Sequence, residues 1–156
     1  MRRLSRLLLL AALGVFLLIQ FLPSGRSNPP VDPARTIERT LTVPSEVKTI
    51  LDRSCHNCHS NDTVWPWYAH VAPVSWLMVG DVNAAREDMN LSEWGDANAD
   101  AQRDTLLEVC RQVKKAAMPL SSYTLLHREA ALSAADVTTL CNWSEQARKD
   151  LKAGQR

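Results

Sequence analysis

Residues 44–59 read PSEVKTILDRSCHNCH. Val47, Ile50, Leu51 and Cys55 recur at three- and four-residue intervals, which is the spacing of a helix with one apolar face, and Ser45 is placed to cap it. The helix runs into Cys55-His56-Asn57-Cys58-His59, the Cys-x-x-Cys-His pattern of c-type haem attachment. Two thiols three positions apart at a helix end can reach the two vinyl groups on one porphyrin edge. The adjacent His59 then stands where its imidazole can bind iron from the proximal side. This stretch predicts a small all-α domain built around a covalently attached haem.

Other chemistries of the same residues fit less well. A structural zinc site wants a second paired-ligand cluster, and Cys110 and Cys141 stand singly. A thioredoxin-like pair belongs in a βαβ pattern, and no stretch of this chain alternates with period two. A disulfide closing Cys55 on Cys58 would be strained.

Downstream, the proline- and aromatic-rich loop TVWPWYAHVAP (63–73) leads into a helix expected over about 73–89, with Leu77, Val82, Ala85 and Met89 inward. Residues 90–98 read as a turn region. A third helix over about 99–117 places Leu106, Val109, Cys110, Val113 and Ala117 on one face, and Pro119 is expected to stop it. After a short segment around 123–127, Ser133 with Asp136 three residues on predicts a capping box. It opens a last helix over about 134–152, with Val137, Leu140, Cys141, Ala147 and Leu151 on one side.

Upstream, the chain changes character. Residues 7–22, LLLLAALGVFLLIQFL, follow Arg2, Arg3 and Arg6 and precede the helix-breaking PSGRSNPP. Charged, then apolar, then breaker is the order of an export address. The favoured reading of residues 1–26 is an uncleaved anchor. The alternative is a signal cleaved at the small-x-small site Gly25-Arg26-Ser27. The arginines hold their end in the cytoplasm, so the domain faces the periplasmic side. Residues 27–43 read as a proline-rich linker and 44–152 as the domain. The 156 residues have a formal net charge of +1, but residues beyond 26 hold 14 basic against 17 acidic side chains. A mildly acidic domain is a poor nucleic-acid binder, and it points weakly to a basic partner surface.

The distal ligand has several candidates: Met78, Met89, Met118, His56, His70 and His127. Met118 is favoured because it lies in a loop after a helix, stiffened by Pro119, where a thioether can swing over the distal face. Met78 and Met89 fall in a helix and read as core. His56 points away from the iron, His70 is only 11 residues past His59, and His127 reads as structural. The five tryptophans read mainly as core, some with indole N–H groups bonded to haem propionates or backbone. Cys110 and Cys141 face inward, either as a disulfide between helices or as two buried thiols.

The blocks VPSEVKTILDRSCHNCHSNDTVWPWYAHVAPVSWLM (43–78), NLSEW (90–94) and MPLSSYTLLHREAALSAADVTTLCNW (118–143) together resemble the haem-binding domain family of exported bacterial proteins related to c-type cytochromes. The resemblance covers about residues 41–147. It implies haem c held by Cys55, Cys58 and His59, with Met118 as distal ligand. Leu91 stands where an aromatic is common, and Arg128 where proline is usual. Cys110 and Cys141 find no counterpart in it.

The expected function is a monohaem c-type protein that passes single electrons at the outer face of the cytoplasmic membrane. It would exchange them with a redox partner that the residues do not name. No catalytic residue is assigned. The alternative is a haem peroxidase, or a sensor of NO, CO or peroxide with a labile distal ligand. It would want a distal base such as His70 or His127, and no paired Arg–His arrangement supports it.

Overall fold

In a computed structural model, residues 2–154 are described. They contain seven α-helices and three short 3-10 turns and, among the described residues, no strand. The all-α expectation holds.

The chain divides into two compact units. The first comprises residues up to Ser27 together with Val64–Ala84. Its helix α1 (Arg2–Ile19) buries no residue. Past its end, the Gln20 carboxamide pairs both ways with Ala72, donating to the carbonyl at 3.1 Å and accepting from the N–H at 2.9 Å. Arg26 donates to the Ala69 carbonyl. No described helix is long and apolar enough to cross a membrane. Arg2, Arg3 and Arg6 lie inside α1 and leave its uninterrupted apolar part, 7–19, at about 20 Å.

The second unit, Asn28–Thr63 with Ala85–Arg156, carries the Cys-x-x-Cys-His motif. Its core joins Ile37, Val47, Ile50, Leu51, Leu91, Trp94, Leu106, Val113, Leu140, Cys141, Trp143 and Ala147. α3 (Ser45–Ser54) presents Val47, Ile50 and Leu51 to this core, as the spacing predicts. Ser45 is its first helical residue and not its cap; Pro44 holds the cap position. The linker expected at 27–43 does not run free. Ile37 heads a one-turn helix, α2 (Ile37–Thr40), and is 1 % exposed in the core. One buried isoleucine outweighs the extending effect of the surrounding prolines, because its removal from water contributes about 1.5–3 kcal/mol.

α4 (Val74–Asp88) gives its residues up to Ala84 to the first unit and those from Ala85 to the second. Val79, Val82 and Ala85 are buried along it, but Leu77, expected inward, is 67 % exposed. The buried positions follow Ser75, Val79, Val82 and Ala85, and Leu77 falls off that stripe.

α5 (Ala99–Lys114) is capped by Asn98, whose side chain accepts from Ala101 N–H at 2.9 Å. Its end is set by Ala116, not by Pro119. Ala116 takes the left-handed conformation (φ 53°). With it, Ala116 N–H bonds to the Val113 carbonyl and Ala117 N–H to that of Gln112. This is a Schellman stop with alanine where glycine is usual. Ala117 therefore lies beyond the helix and is exposed. α6 (Ser121–Leu126) follows, then α7 (Ala134–Gly154).

α5 and α7 pack along each other, and the Cys110–Cys141 disulfide joins them, with Cα atoms 4.8 Å apart. The capping box at α7 forms in both directions. Asp136 accepts from Ser133 N–H at 2.8 Å, and Ser133 Oγ accepts from Asp136 N–H at 3.1 Å. The Ser133 bonds hold the Asp136 carboxyl below its ordinary range, and Arg53 of α3 adds an ion pair at 2.9 Å. A carboxyl with a depressed folded-state value contributes stability above its unfolded value and loses it as the pH falls through the folded one. Asp136→Ala is therefore expected to lower stability by about 1 kcal/mol at neutral pH, with a smaller deficit below the carboxylate range. Urea titrations of both proteins at several pH values check this.

Of the five tryptophans, Trp94 and Trp143 are buried, whereas Trp67 is 78 % exposed and Trp76 is also exposed. The Trp143 indole N–H donates to the Thr42 carbonyl at 3.0 Å, a backbone partner as expected.

Candidate functional site

α3 ends where the motif begins. Cys55 N–H still bonds to the Leu51 carbonyl at 2.9 Å, and the Cys55 carbonyl then accepts from both Cys58 N–H (3.1 Å) and His59 N–H (3.0 Å). One tight turn therefore carries both cysteines and the histidine. Cys55 and Cys58 remain thiols, and the described chain's disulfide lies elsewhere. Cys55 packs on the core, and burial pushes its thiol up to about 12, with the neighbouring Cys58 adding to the rise. The site thus keeps a neutral thiol on an apolar wall. That suits a sulfur destined for an uncharged thioether better than a metal-bound thiolate.

His59 is held at three points. Its carbonyl accepts from Leu91 N–H at 2.7 Å. Its ring Nδ1 lies 2.8 Å from the Ala85 carbonyl and 3.1 Å from that of Met89. A carbonyl can only accept, so Nδ1 carries the proton and Nε2 carries the lone pair. Burial holds the imidazole below its ordinary pKa, although both carbonyls and Asp88 oppose this. A neutral ring with a fixed tautomer and a free Nε2 is what a metal needs, and a backbone carbonyl on the other nitrogen is the usual outer partner of a ligating histidine.

The surroundings of His59 are polar, buried and bonded. Asn61, 1 % exposed, donates to Glu93 Oε1 at 3.0 Å and accepts from Asn90 Nδ2 at 2.9 Å, while its N–H bonds to Ser92 Oγ at 3.0 Å. Arg86 donates to the Ser60 carbonyl (2.7 Å) and to Thr63 Oγ1 (2.9 Å). Leu91, which holds the His59 carbonyl, accepts from Ile37 N–H at 2.9 Å. The segment whose prolines read as a linker therefore braces His59. Sequence reasoning missed this brace. Its nearest signal was the inward placement of Ala85 and Met89, whose working atoms are carbonyls and leave no mark in residue type.

The distal candidates separate by position. Met118 is half-buried in the bend that follows the Ala116 turn and precedes Pro119. The Met89 side chain packs against the core, as expected. Met78 lies within α4. His70 is exposed at the end of the Trp67–His70 turn in the first unit. His56 Nδ1 meets Ser60 Oγ at 3.2 Å. His127 stacks on Tyr123 with ring centres 4.3 Å apart and meets Glu129 at 3.2 Å. Tyr123 in turn accepts from Asn57 of the motif at 3.2 Å, which ties α6 to the attachment turn. His127 thus has the structural role read for it.

The residues fit a haem: two cysteines outside any disulfide, an imidazole whose Nε2 keeps the lone pair, and an apolar wall. No curated protein and no solved structure matches the chain. A family model described as "Haem-binding domain" matches residues 14–146, beginning well before the blocks at 41–147 that carry the resemblance, and by it the chain belongs to the haem-binding domain family.

Proposed function

We propose that this haem-binding protein is a monohaem c-type electron carrier. In this reading Cys55 and Cys58 hold the porphyrin as thioethers, His59 binds the iron from the proximal side, and Met118 binds it from the distal side. The observation that carries the reading is the His59 tautomer, fixed by the Ala85 and Met89 carbonyls so that Nδ1 carries the proton and Nε2 keeps the lone pair. When bound, the haem supplies a one-electron Fe(III)/Fe(II) couple.

The chain's part is to hold that couple still. The two carbonyls at the end of α4 place partial negative charge on the Nδ1 side and make the imidazole a stronger donor, which favours the higher metal charge. The Met118 thioether favours the lower one. With His59 and Met118 both held by the chain, the two side chains would keep their places in either oxidation state, and reorganisation would be small. The Asn61 and Arg86 bonds and the Leu91 contact prevent the attachment turn from shifting.

The domain is assigned to the periplasmic side of the cytoplasmic membrane, addressed there by its N-terminal segment. Two features support this: the arginines ahead of the apolar run, and the Cys110–Cys141 disulfide, which suits an oxidising compartment.

The test is the spectrum of protein matured together with haem-attachment machinery. Oxidised protein should show the weak far-red band of methionine-ligated ferric haem. Met118→Ala should remove that band and allow the ferrous form to bind CO. A band unchanged by Met118→Ala would refute the distal assignment.

A further inference from the structure

The domain is acidic as a whole, which by itself suggests a basic partner. Its charge is unevenly placed. Residues 109–128 hold Arg111, Lys114, Lys115 and Arg128 and no Asp or Glu. Arg111 pairs with Glu108 at 3.0 Å. Lys114, Lys115 and Arg128 are exposed and form no ion pair among the described residues. The same stretch contains Met118 and all of α6, where Leu125 and Leu126 are 73 % and 63 % exposed. α6 is joined to the attachment turn through the Tyr123–Asn57 hydrogen bond of 3.2 Å. Exposed leucines and unpaired cations, with acidic side chains only at the two ends of the stretch (Glu108 and Glu129), supply the apolar and charged groups of an encounter surface.

We propose that residues 111–128 form the docking face for electron exchange, and that the partner is a redox protein presenting carboxylates around its own cofactor. This reverses the expectation drawn from the overall charge, because steering is set by the local field near the exchange site and not by the sum over the domain. The inference rests on the electron-carrier reading above.

The experiment follows oxidation of the reduced holoprotein by hexacyanoferrate(III), a trianion, and by tris(phenanthroline)cobalt(III), a trication. In each case one electron leaves the protein and reduces the complex by one. The anionic oxidant should slow by about tenfold or more as salt is raised, and the cationic one should not. Lys114→Glu/Lys115→Glu/Arg128→Glu should invert the two salt dependences with the visible spectrum unchanged. An unchanged salt dependence in that variant, with its spectrum intact, overturns the docking face and leaves the carrier reading standing. Wild-type binding to vesicles of anionic phospholipid, abolished in the variant without a change in the kinetics, would assign the face to a membrane and also overturn it. Failure of the wild type to take up covalent haem would overturn the carrier reading itself, and the docking face with it.

Discussion

Cys55→Ser/Cys58→Ser protein, matured alongside the wild type, is expected to lose all of its covalently held haem. The wild type should stay red after acid–acetone extraction, and the variant should come out colourless. The physical reason is the pairing of roles in one turn. The Cys55 carbonyl accepts from Cys58 N–H and His59 N–H, so the two sulfurs and the imidazole are presented together, and without the sulfurs only coordination by His59 and apolar contact would hold the porphyrin. His59→Ala should behave differently. It keeps both thiols but removes the iron donor, so its haem should be attached at reduced yield and lack the spectrum of two strong axial ligands. Equal haem retention by wild type and the double serine variant would refute covalent attachment.

Removal of the Cys110–Cys141 disulfide is expected to cost about 3–4 kcal/mol, from the loop-closure entropy of a crosslink spanning 31 residues of separation. A small domain's whole stability is about 5–15 kcal/mol, so this loss is large. Cys110→Ala/Cys141→Ala should unfold at markedly lower urea with little change in slope. A reductant should bring the wild type to the variant's midpoint and leave the variant where it is. A wild-type midpoint insensitive to reductant would show that the crosslink contributes nothing. The bond fastens α5 and α7, which share the core with α3, so the loss should also appear as easier release of haem bound without thioethers.

Much was legible in residue pattern. The helix over 45–54, the turn that gathers Cys55, Cys58 and His59 at its end, the α5 and α7 faces through Leu106, Val113, Leu140 and Ala147, and the Ser133–Asp136 capping box all rest on local spacing or on bonds between near neighbours in the chain. Local rules suffice there because the interacting groups are neighbours in the chain. Where a long-range contact competes with a local rule, the local reading fails. Elsewhere one local rule displaces another: Pro119 reads as the stop of α5, but the left-handed turn at Ala116 ends it earlier. Leu77 fits a helical stripe in composition yet stands in solvent, because the face of α4 that is covered runs through Val79 and Val82.

The sequence by itself determined which groups are present: two thiols and an imidazole within five residues, on an all-α chain that belongs to a haem-binding family. Only the tertiary structure decided how that chemistry is held. The His59 proton is placed by carbonyls 26 and 30 residues away. Its backbone is pinned by Leu91, which Ile37 braces from a stretch that reads as mere linker. Cys110 and Cys141, equally well read as thiols or as a bridge, become a bridge because α5 and α7 pack side by side. Backbone carbonyls look alike in every residue, and the distance between two cysteines is a property of the packed chain, so neither could be read from the order of side chains.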